Sequence, residues 1–230
     1  MRIELPKVFV FDIDDTLYLE RDYVQSGFQA VGAWFQQEFE IEKFADRCWS
    51  LFDSGVRGNI FDQAIESVGQ GGVHGLVEQL VAVYRAHRPS ISLLPDARAT
   101  LDYLHQHAQL ALISDGPLRV QENKIRTLGL DAYVDLILLT DRWGREDWKP
   151  SERSYREVEK RLRLQGKDCL YVADNPHKDF VAPRSLGWQS VRVRRPEGLH
   201  YSAEAQPETA ADWELEDLTR LSEMFQTQVA

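Results

Sequence analysis

The sequence predicts a three-layer α/β fold around a parallel sheet, interrupted after the first strand by a small all-helical insert. Three observations predict it. Short apolar runs recur, each ended abruptly by a polar residue: Val8–Phe11 before Asp12, Leu110–Ile113 before Ser114, and Leu170–Ala173 before Asp174. Helical periodicity separates the later runs, and strands alternating with helices imply parallel βαβ units. Between residues 22 and 88 the strand signal vanishes and only helical spacing remains.

Taken in order, Val8–Phe11 is wholly apolar and rich in strand formers, hence a buried strand. In the insert, helices fit 23–38, 42–53, 60–68 and 74–88. Val24, Phe28, Val31 and Phe35 show the spacing, and Gly55, Gly58 and Gly69–Gly72 punctuate it. A helix over 97–108 carries Ala97, Leu101, Leu104 and Ala108 on one face. The strand Leu110–Ile113 breaks at Ser114-Asp115-Gly116, and the next helix runs to Leu128 with Gly129 as C-cap. Val134–Leu139 is a third strand. Ser151 is placed to cap a helix reaching Leu164, with Gly166 just beyond. Leu170–Ala173 is the fourth strand, a short helix follows to Leu186, Gln189–Val193 is the fifth strand, and a helix is expected near 216–226. The domain expectation is a core from 1–18 and 95–230, with an inserted helical domain over 19–94.

The totals narrow the function. The 230 residues are 43% hydrophobic with a formal net charge of −10, enough to bury a core. Such an acidic balance repels a nucleic-acid backbone, so no nucleic-acid partner is expected. The basic clusters Arg192-Val193-Arg194-Arg195 and Arg161-Leu162-Arg163 are short and are expected to form solvated faces. Cys48 and Cys169 have no CxxC neighbour and read as buried thiols of a reducing compartment. Met1–Lys7 holds charges and a proline where a signal peptide needs an apolar stretch, and no run approaches a membrane span. A cytoplasmic protein without a membrane partner is expected; the oligomeric state stays open.

The chemistry gathers at the strand ends. Ligands of open parallel sheets bind outside the carboxyl ends of the strands. Asp12, Ser114 and Asp174 each follow a predicted strand, so they share that edge. A carboxylate can attack phosphorus as a nucleophile, but it repels a phosphate dianion. Two unit charges 4 Å apart cost about 4 kcal/mol at an effective dielectric near 20. Positive charge must lie between them. Magnesium suits the task because it takes oxygen ligands and keeps some waters. Asp12 and Asp174 can supply two carboxylates, a backbone carbonyl near Asp14 a third oxygen, and Asp179 can hold a metal-bound water. Lys149, set before Pro150, can neutralise a phosphoryl oxygen as a point charge. Ser114 can donate a hydrogen bond to another, and the turn through Asp115 and Gly116 offers a helix N-terminus to an anion. Thr16 joins these as a candidate substrate contact. Asp14 can protonate the leaving alkoxide and then deprotonate the incoming water.

The chain resembles the haloacid dehalogenase superfamily, in its phosphatase branch. Four motifs carry the resemblance in order: Asp12-Ile13-Asp14-Asp15-Thr16; Ser114 after its strand; Lys149 in Trp148-Lys149-Pro150; and Asp174-Asn175-Pro176-His177-Lys178-Asp179. They span most of the chain, about residues 7 to 195. The resemblance implies a Rossmann-like core with a helical cap. It implies Asp12 as nucleophile, Asp14 as general acid/base that also binds metal through its backbone carbonyl, Ser114 and Lys149 as phosphoryl holders, and Asp174 as a magnesium ligand. The expected partner is a small phosphorylated metabolite, a sugar phosphate or a nucleoside monophosphate.

Other readings share the scaffold. Dehalogenation needs neither the second acid nor the metal, so Asp14 and Asp174 speak against it. A phosphonate hydrolase would need a cap lysine at a site, and Lys43 stands on a helical segment without one. A phosphomutase keeps the same motifs and would depend on a bisphosphate activator. A non-catalytic regulatory member would lack a chemical residue, and none is missing. Arg21 and Arg57 are the insert's candidates for a second anionic group, with surface arginine as the alternative. Trp143 and Trp148 are expected to pack their loop, and His177 to be a solvated loop residue.

Overall fold

The computed structural model describes residues 6–221, 223 and 224. Six strands form one sheet: β1 (Val8–Phe11), β2 (Gln109–Ser114), β3 (Leu136–Leu139), β4 (Cys169–Ala173), β5 (Gln189–Val193) and β6 (Trp213–Leu215). Their order is β3-β2-β1-β4-β5-β6 and every pairing is parallel. The chain builds outward from β1 to β3, then returns to the other side of β1 for β4. This reversal is the switch point where ligands bind. Register pairs Phe11 with both Leu112 of β2 and Val172 of β4. Asp12, Ser114 and Asp174 therefore leave the sheet at one edge.

Among the described residues ahead of the tail, eight helices accompany the strands: α1 (Glu20–Phe39), α2 (Phe44–Asp53), α3 (Ile60–Ser67), α4 (Leu76–Ala86), α5 (Pro95–Leu104), α6 (Leu118–Leu128), α7 (Arg153–Leu162) and α8 (Val181–Ser185). The fold is a Rossmann-like α/β architecture. Strand residues alternate between faces. On one face Val8, Val10, Ala111, Ile113, Tyr171 and Ala173 pack with Tyr155 and Val158 of α7, Phe180 and Trp188. Tyr155 meets Tyr171 and Trp188 edge-on at centroid distances of 5.1 and 5.3 Å. Phe9 and Phe11 fill the opposite face and are fully buried. No helix among the described residues is long and apolar enough to cross a membrane.

The chain divides into two compact units, residues 1–20 with 92–230, and residues 21–91. The second unit is built from α1 to α4 around Val24, Phe28, Val31, Phe35, Phe44, Cys48, Phe52 and Leu80. Phe35 and Phe44 stack at 3.8 Å between centroids. Gly27 lets Tyr84 approach so closely that a Cβ would stand 2.3 Å from its ring.

Several local expectations change. The third strand begins at Leu136 instead of Val134, because Asp135 turns inward to accept the Leu110 amide at 2.9 Å. Ser151 is not the N-cap of α7. It closes a turn onto Trp148, its hydroxyl accepts the Arg153 amide at 3.3 Å, and the helix starts at Arg153. That helix ends at Leu162, where Arg163 takes the left-handed conformation instead of a glycine. β6 has no counterpart in the sequence reading: it is three residues long with a central glutamate. Helix begins at Thr219 in the tail; Ser222 and residues 225–226 of the expected helix lie outside the described residues.

The arginine cluster after β5 is also not a solvated face. Arg192 is buried on the sheet and donates to the Asp174, His200 and Ala203 carbonyls and to Glu214. Arg195 is buried between the Thr16 carbonyl and the Asp96 carboxylate. Each guanidinium spends its donors on chain segments that would otherwise bury bare acceptors. Arg194 is half-buried against Glu204 and Glu214, whereas Arg161 and Arg163 are exposed as expected.

Candidate active site

Asp12 sits immediately after β1, its amide donating to the Val172 carbonyl of β4 at 2.9 Å. Its carboxylate is buried and lies 3.0 Å from Lys149 Nζ. The same ammonium lies 2.8 Å from Asp179 Oδ1 and donates to the Tyr171 hydroxyl at 3.1 Å. Asp179 is held from its other side by the Asn175 amide at 3.0 Å. Asp174 follows β4 directly, and Arg192 grips its carbonyl at 3.1 Å. One carboxylate oxygen from each of Asp12, Asp174 and Asp179 lies within 4.8 Å of the others. Three chain segments thus deliver three buried carboxylates and one lysine to a single point.

The electrostatics follow from that crowding. Burial, then Asp179 and Asp14, pushes the Asp12 carboxyl up to about 6 against the pull of Lys149. Burial with Asp179 and Asp12 as neighbours pushes Asp174 well above the carboxylate range. Lys149 is driven the other way: burial disfavours its charge, but Asp12, Asp179 and Asp115 hold it protonated well beyond its ordinary value. Three carboxyls share one buried lysine, so ionising all of them would leave negative charge that a cation could offset.

Asp14 faces a different partner. Lys124 of α6 donates to its Oδ1 at 2.6 Å and its Oδ2 at 2.9 Å, and the Tyr18 hydroxyl donates to Oδ1 as well. Burial opposes ionisation, but Lys124 overrides it and holds Asp14 below the ordinary carboxylate value. Asp12 and Asp14, two residues apart, are therefore shifted in opposite directions.

Ser114 ends β2 with its hydroxyl buried and without a partner among the described residues. Thr16 Oγ1 is in the same state, while its carbonyl receives Arg195. An unsatisfied buried hydroxyl costs about 1–3 kcal/mol, so each is available to a ligand oxygen. Asp115 is not available. One oxygen accepts the Thr140 hydroxyl at 2.8 Å and the Lys149 amide at 3.1 Å, and the other accepts Lys178 Nζ at 3.0 Å. It braces the two lysine segments, and its charge would repel an anion. Gly116, at φ 118°, packs where a Cβ would stand 2.7 Å from Gln121 Nε2. The helix that follows starts only at Leu118, whose amide is taken by Asp141 at 3.1 Å, so that N-terminal donor is already matched within the protein.

Arg21 and Arg57 belong to the second unit and are engaged there. Arg57 donates to the Phe52 and Val56 carbonyls over the Phe52 ring, and Arg21 lies 3.8 Å from Asp53 and over Trp49. Trp143 packs against the sheet core, Arg145 sits over Trp148, and His177 is exposed. The groups missed in sequence are Tyr18, Lys124, Thr140, Tyr171 and Lys178. Lys124 leaves a legible trace. It falls with Val120, Gln121, Ile125 and Leu128 on the buried face of α6, and a charge on such a face must have a partner.

A parallel sheet whose switch point gathers a strand-end aspartate, a buried lysine and an acid cluster able to hold a cation is the frame of an α/β enzyme. The model of the haloacid dehalogenase-like hydrolases matches residues 6–187, and the chain belongs to this family. A ribulose-1,5-bisphosphate 5-phosphatase of Halopiger xanaduensis is 27% identical over 94% of this chain and 97% of its own. A glyceraldehyde 3-phosphate phosphatase of Methanopyrus kandleri is 24% identical over 82% of this chain and 84% of its own. Among solved structures, the HAD-type hydrolase YfnB of Bacillus subtilis, bound to magnesium, superposes with a TM-score of 0.72. It covers 96% of this chain and 99% of its own at 17% identity. An L-2-haloacid dehalogenase of Xanthobacter autotrophicus matches with a TM-score of 0.62 at 20% identity, over 96% and 99% of the two chains.

Proposed function

We propose that this chain is a magnesium-dependent phosphatase that removes the phosphoryl group of a small sugar phosphate through a covalent intermediate on Asp12. The class, phosphoric monoester hydrolase, agrees with its family and with its phosphatase relatives. The observation that carries the mechanism is the meeting of the Asp12, Asp174 and Asp179 carboxylates, within 4.8 Å of one another, with Lys149 at 3.0 Å from Asp12.

The donor set fits magnesium: hard carboxylate oxygens, with two of the three acids pushed towards the neutral form by burial and then by their acidic neighbours. Asp12, Asp174 and Asp179 would hold the ion. When bound, it supplies the charge neutralisation that lets an anionic nucleophile approach a phosphate dianion.

Asp12 then attacks phosphorus. An Oδ–P bond forms as the ester P–O bond breaks, and the departing alkoxide takes a proton from Asp14. Water next gives a proton back to Asp14 and attacks the same phosphorus. The Oδ–P bond breaks, inorganic phosphate leaves and Asp12 is restored. Lys124 keeps Asp14 in its base form at rest. The arriving phosphate dianion raises that proton affinity, which returns a proton to Asp14 for the first step. Ser114 and Thr16 offer hydroxyls to phosphoryl oxygens. The helical unit of residues 21–91 serves as the cap that excludes water and selects substrate.

The two relatives act on phosphorylated sugars, which favours a short sugar phosphate over a nucleoside monophosphate. The test is phosphate release from a panel of phosphorylated metabolites by the full-length chain. Turnover should require magnesium and should disappear in Asp12→Asn. Metal-independent release, or a fully active Asp12→Asn, would overturn the reading.

A further inference from the structure

We infer that His200 is a positioning residue for the magnesium site: through the Asn175 side chain it holds the loop that presents Asp174 and Asp179. This role rests on the magnesium-dependent phosphatase reading above and adds to it a residue that lies beyond the four motifs.

Asn175 is the hub of that loop. Its main chain closes the turn: the amide donates to Asp179 Oδ2 at 3.0 Å, and the carbonyl receives the Asp179 amide at 3.1 Å. With Oδ2 so held, Asp179 Oδ1 lies 2.8 Å from Lys149 Nζ. The direction of the Asp179 carboxylate therefore depends on where the Asn175 backbone stands. The Asn175 side chain ties that backbone down on two sides. Its Oδ1 accepts the His177 amide at 3.0 Å, and its Nδ2 faces His200 Nε2, also at 3.0 Å.

These partners fix the state of the imidazole. The His177 N–H requires the amide oxygen of Asn175, so the group turned to His200 is the NH2. His200 Nε2 must then accept, and the proton of the neutral ring sits on Nδ1. Burial, with Lys178 nearby, also disfavours charge on this ring.

The main chain around His200 is anchored to the same loops. Arg192 donates through Nη2 to the His200 carbonyl at 2.8 Å and through Nε to the Asp174 carbonyl at 3.1 Å. One buried guanidinium thus joins His200 to the first acid of the loop. One residue earlier, the Leu199 amide donates to Asp15 Oδ2 at 2.7 Å, and Arg195 donates to the Thr16 carbonyl at 2.8 Å. Residues 195–200 therefore strap the loop after β1 to the loop after β4, and the His200 ring is their side-chain hold on Asn175. Groups that orient a metal's ligands without touching the ion are worth about 10–100-fold in its affinity.

Calorimetric titration of magnesium into the metal-free full-length chain tests this with wild type, His200→Ala and His200→Gln. His200→Ala should raise the dissociation constant by roughly ten- to a hundredfold. In His200→Gln the amide oxygen can take the place of Nε2 and accept from Asn175, so most of the loss should be recovered. In an Asn175→Ala background, His200→Ala should add little. A His200→Ala protein that melts earlier but binds magnesium like wild type has lost stability alone, and the inference is overturned. An undiminished His200→Ala effect in the Asn175→Ala background overturns it too. Should His200→Ala fail to fold, nitrogen NMR of the wild-type imidazole decides: the Nδ1–H tautomer is expected, and an Nε2–H tautomer overturns the inference. A wild type that binds magnesium but releases phosphate from no ester defeats the phosphatase reading alone, and the calorimetry still decides the role of His200. A wild type that binds no magnesium overturns both.

Discussion

Lys124 Nζ lies 2.6 Å from Asp14 Oδ1 and 2.9 Å from Oδ2, across 110 residues of sequence. Its ammonium is almost fully buried, at 4% exposure, while the carboxylate keeps 20%. The pair fixes the proposed acid/base group from behind, and the partly exposed carboxylate keeps one side for the proton transfer we propose. The Tyr18 hydroxyl completes the clamp.

Replacing this lysine separates positioning from binding. Lys124→Met should lower kcat by about ten- to a hundredfold while KM for an aryl phosphate changes little, because Asp14 is displaced and the phosphoryl site is not. Lys124→Arg should recover part of kcat. Steady-state kinetics of the two variants, with thermal melts to verify folding, checks this. A rise in KM with unchanged kcat would place Lys124 in binding instead.

The roles of Asp12 and Asp14 divide by leaving group. Asp12→Asn removes the proposed nucleophile and should abolish turnover of every ester, by roughly a thousandfold or more. Asp14→Asn removes the proton that an alkoxide needs. Hydrolysis of an alkyl phosphate should fall about 10²–10⁴-fold, whereas formation of the intermediate from an aryl phosphate, whose leaving group needs no proton, should be far less affected. Burst kinetics on matched aryl and alkyl esters measures both. Equal losses on the two esters would remove Asp14 from the first step.

The contrast between these groups also shows what the chain reveals before folding. Asp12, Ser114 and Asp174 were legible because each ends an apolar run, and a parallel sheet must bring such ends together. The partners of Lys124 and Lys178 were not, because they are set by tertiary contact, 110 and 63 residues away; the place of Lys124 on a buried helix face says only that it must have one. Arg192 and Arg195 misled for the same reason. A basic cluster reads as surface unless one knows that the Asp174 and Thr16 carbonyls are buried beside it. β6 escaped notice because Trp213–Leu215 alternates through a glutamate and gains its place from pairing with β5 alone. Periodicity records burial; it does not record which buried acceptor a charge will find.

Magnesium and protons should compete for the acid cluster. The Asp12 carboxyl is pushed up to about 6 and Asp174 well above its ordinary value, by burial and by their neighbouring acids. Below those values the metal-free cluster carries protons that the ion must displace, so affinity rises with pH. The melting temperature gained from a fixed magnesium concentration should therefore be larger at pH 8 than at pH 5.5. Thermal shifts across that range check it, and a pH-independent gain would mean that these carboxyls are not the ligands.

Glu20 sets a separate pH dependence of stability. Burial, with Asp14 and Asp15 nearby, raises its carboxyl from 4.5 to about 8, against the pull of Lys124 and Lys178. The sign follows from linkage. Below pH 4.5 folded and unfolded chains both hold the proton and the group is neutral in its effect. Between 4.5 and 8 the unfolded chain ionises freely while the folded one resists, so stability falls as pH rises, and the penalty is complete above about 8. Glu20→Gln removes the ionisable group while keeping its shape. The metal-free variant should match wild type near pH 4.5 and exceed it increasingly towards pH 8, with about 2–4 °C in Tm for each kcal/mol regained. Paired melting curves at the two pH values test this. A variant less stable than wild type at pH 8 would show that the Glu20 carboxylate is ionised and paired in the folded chain, with Lys124 and Lys178 outweighing burial.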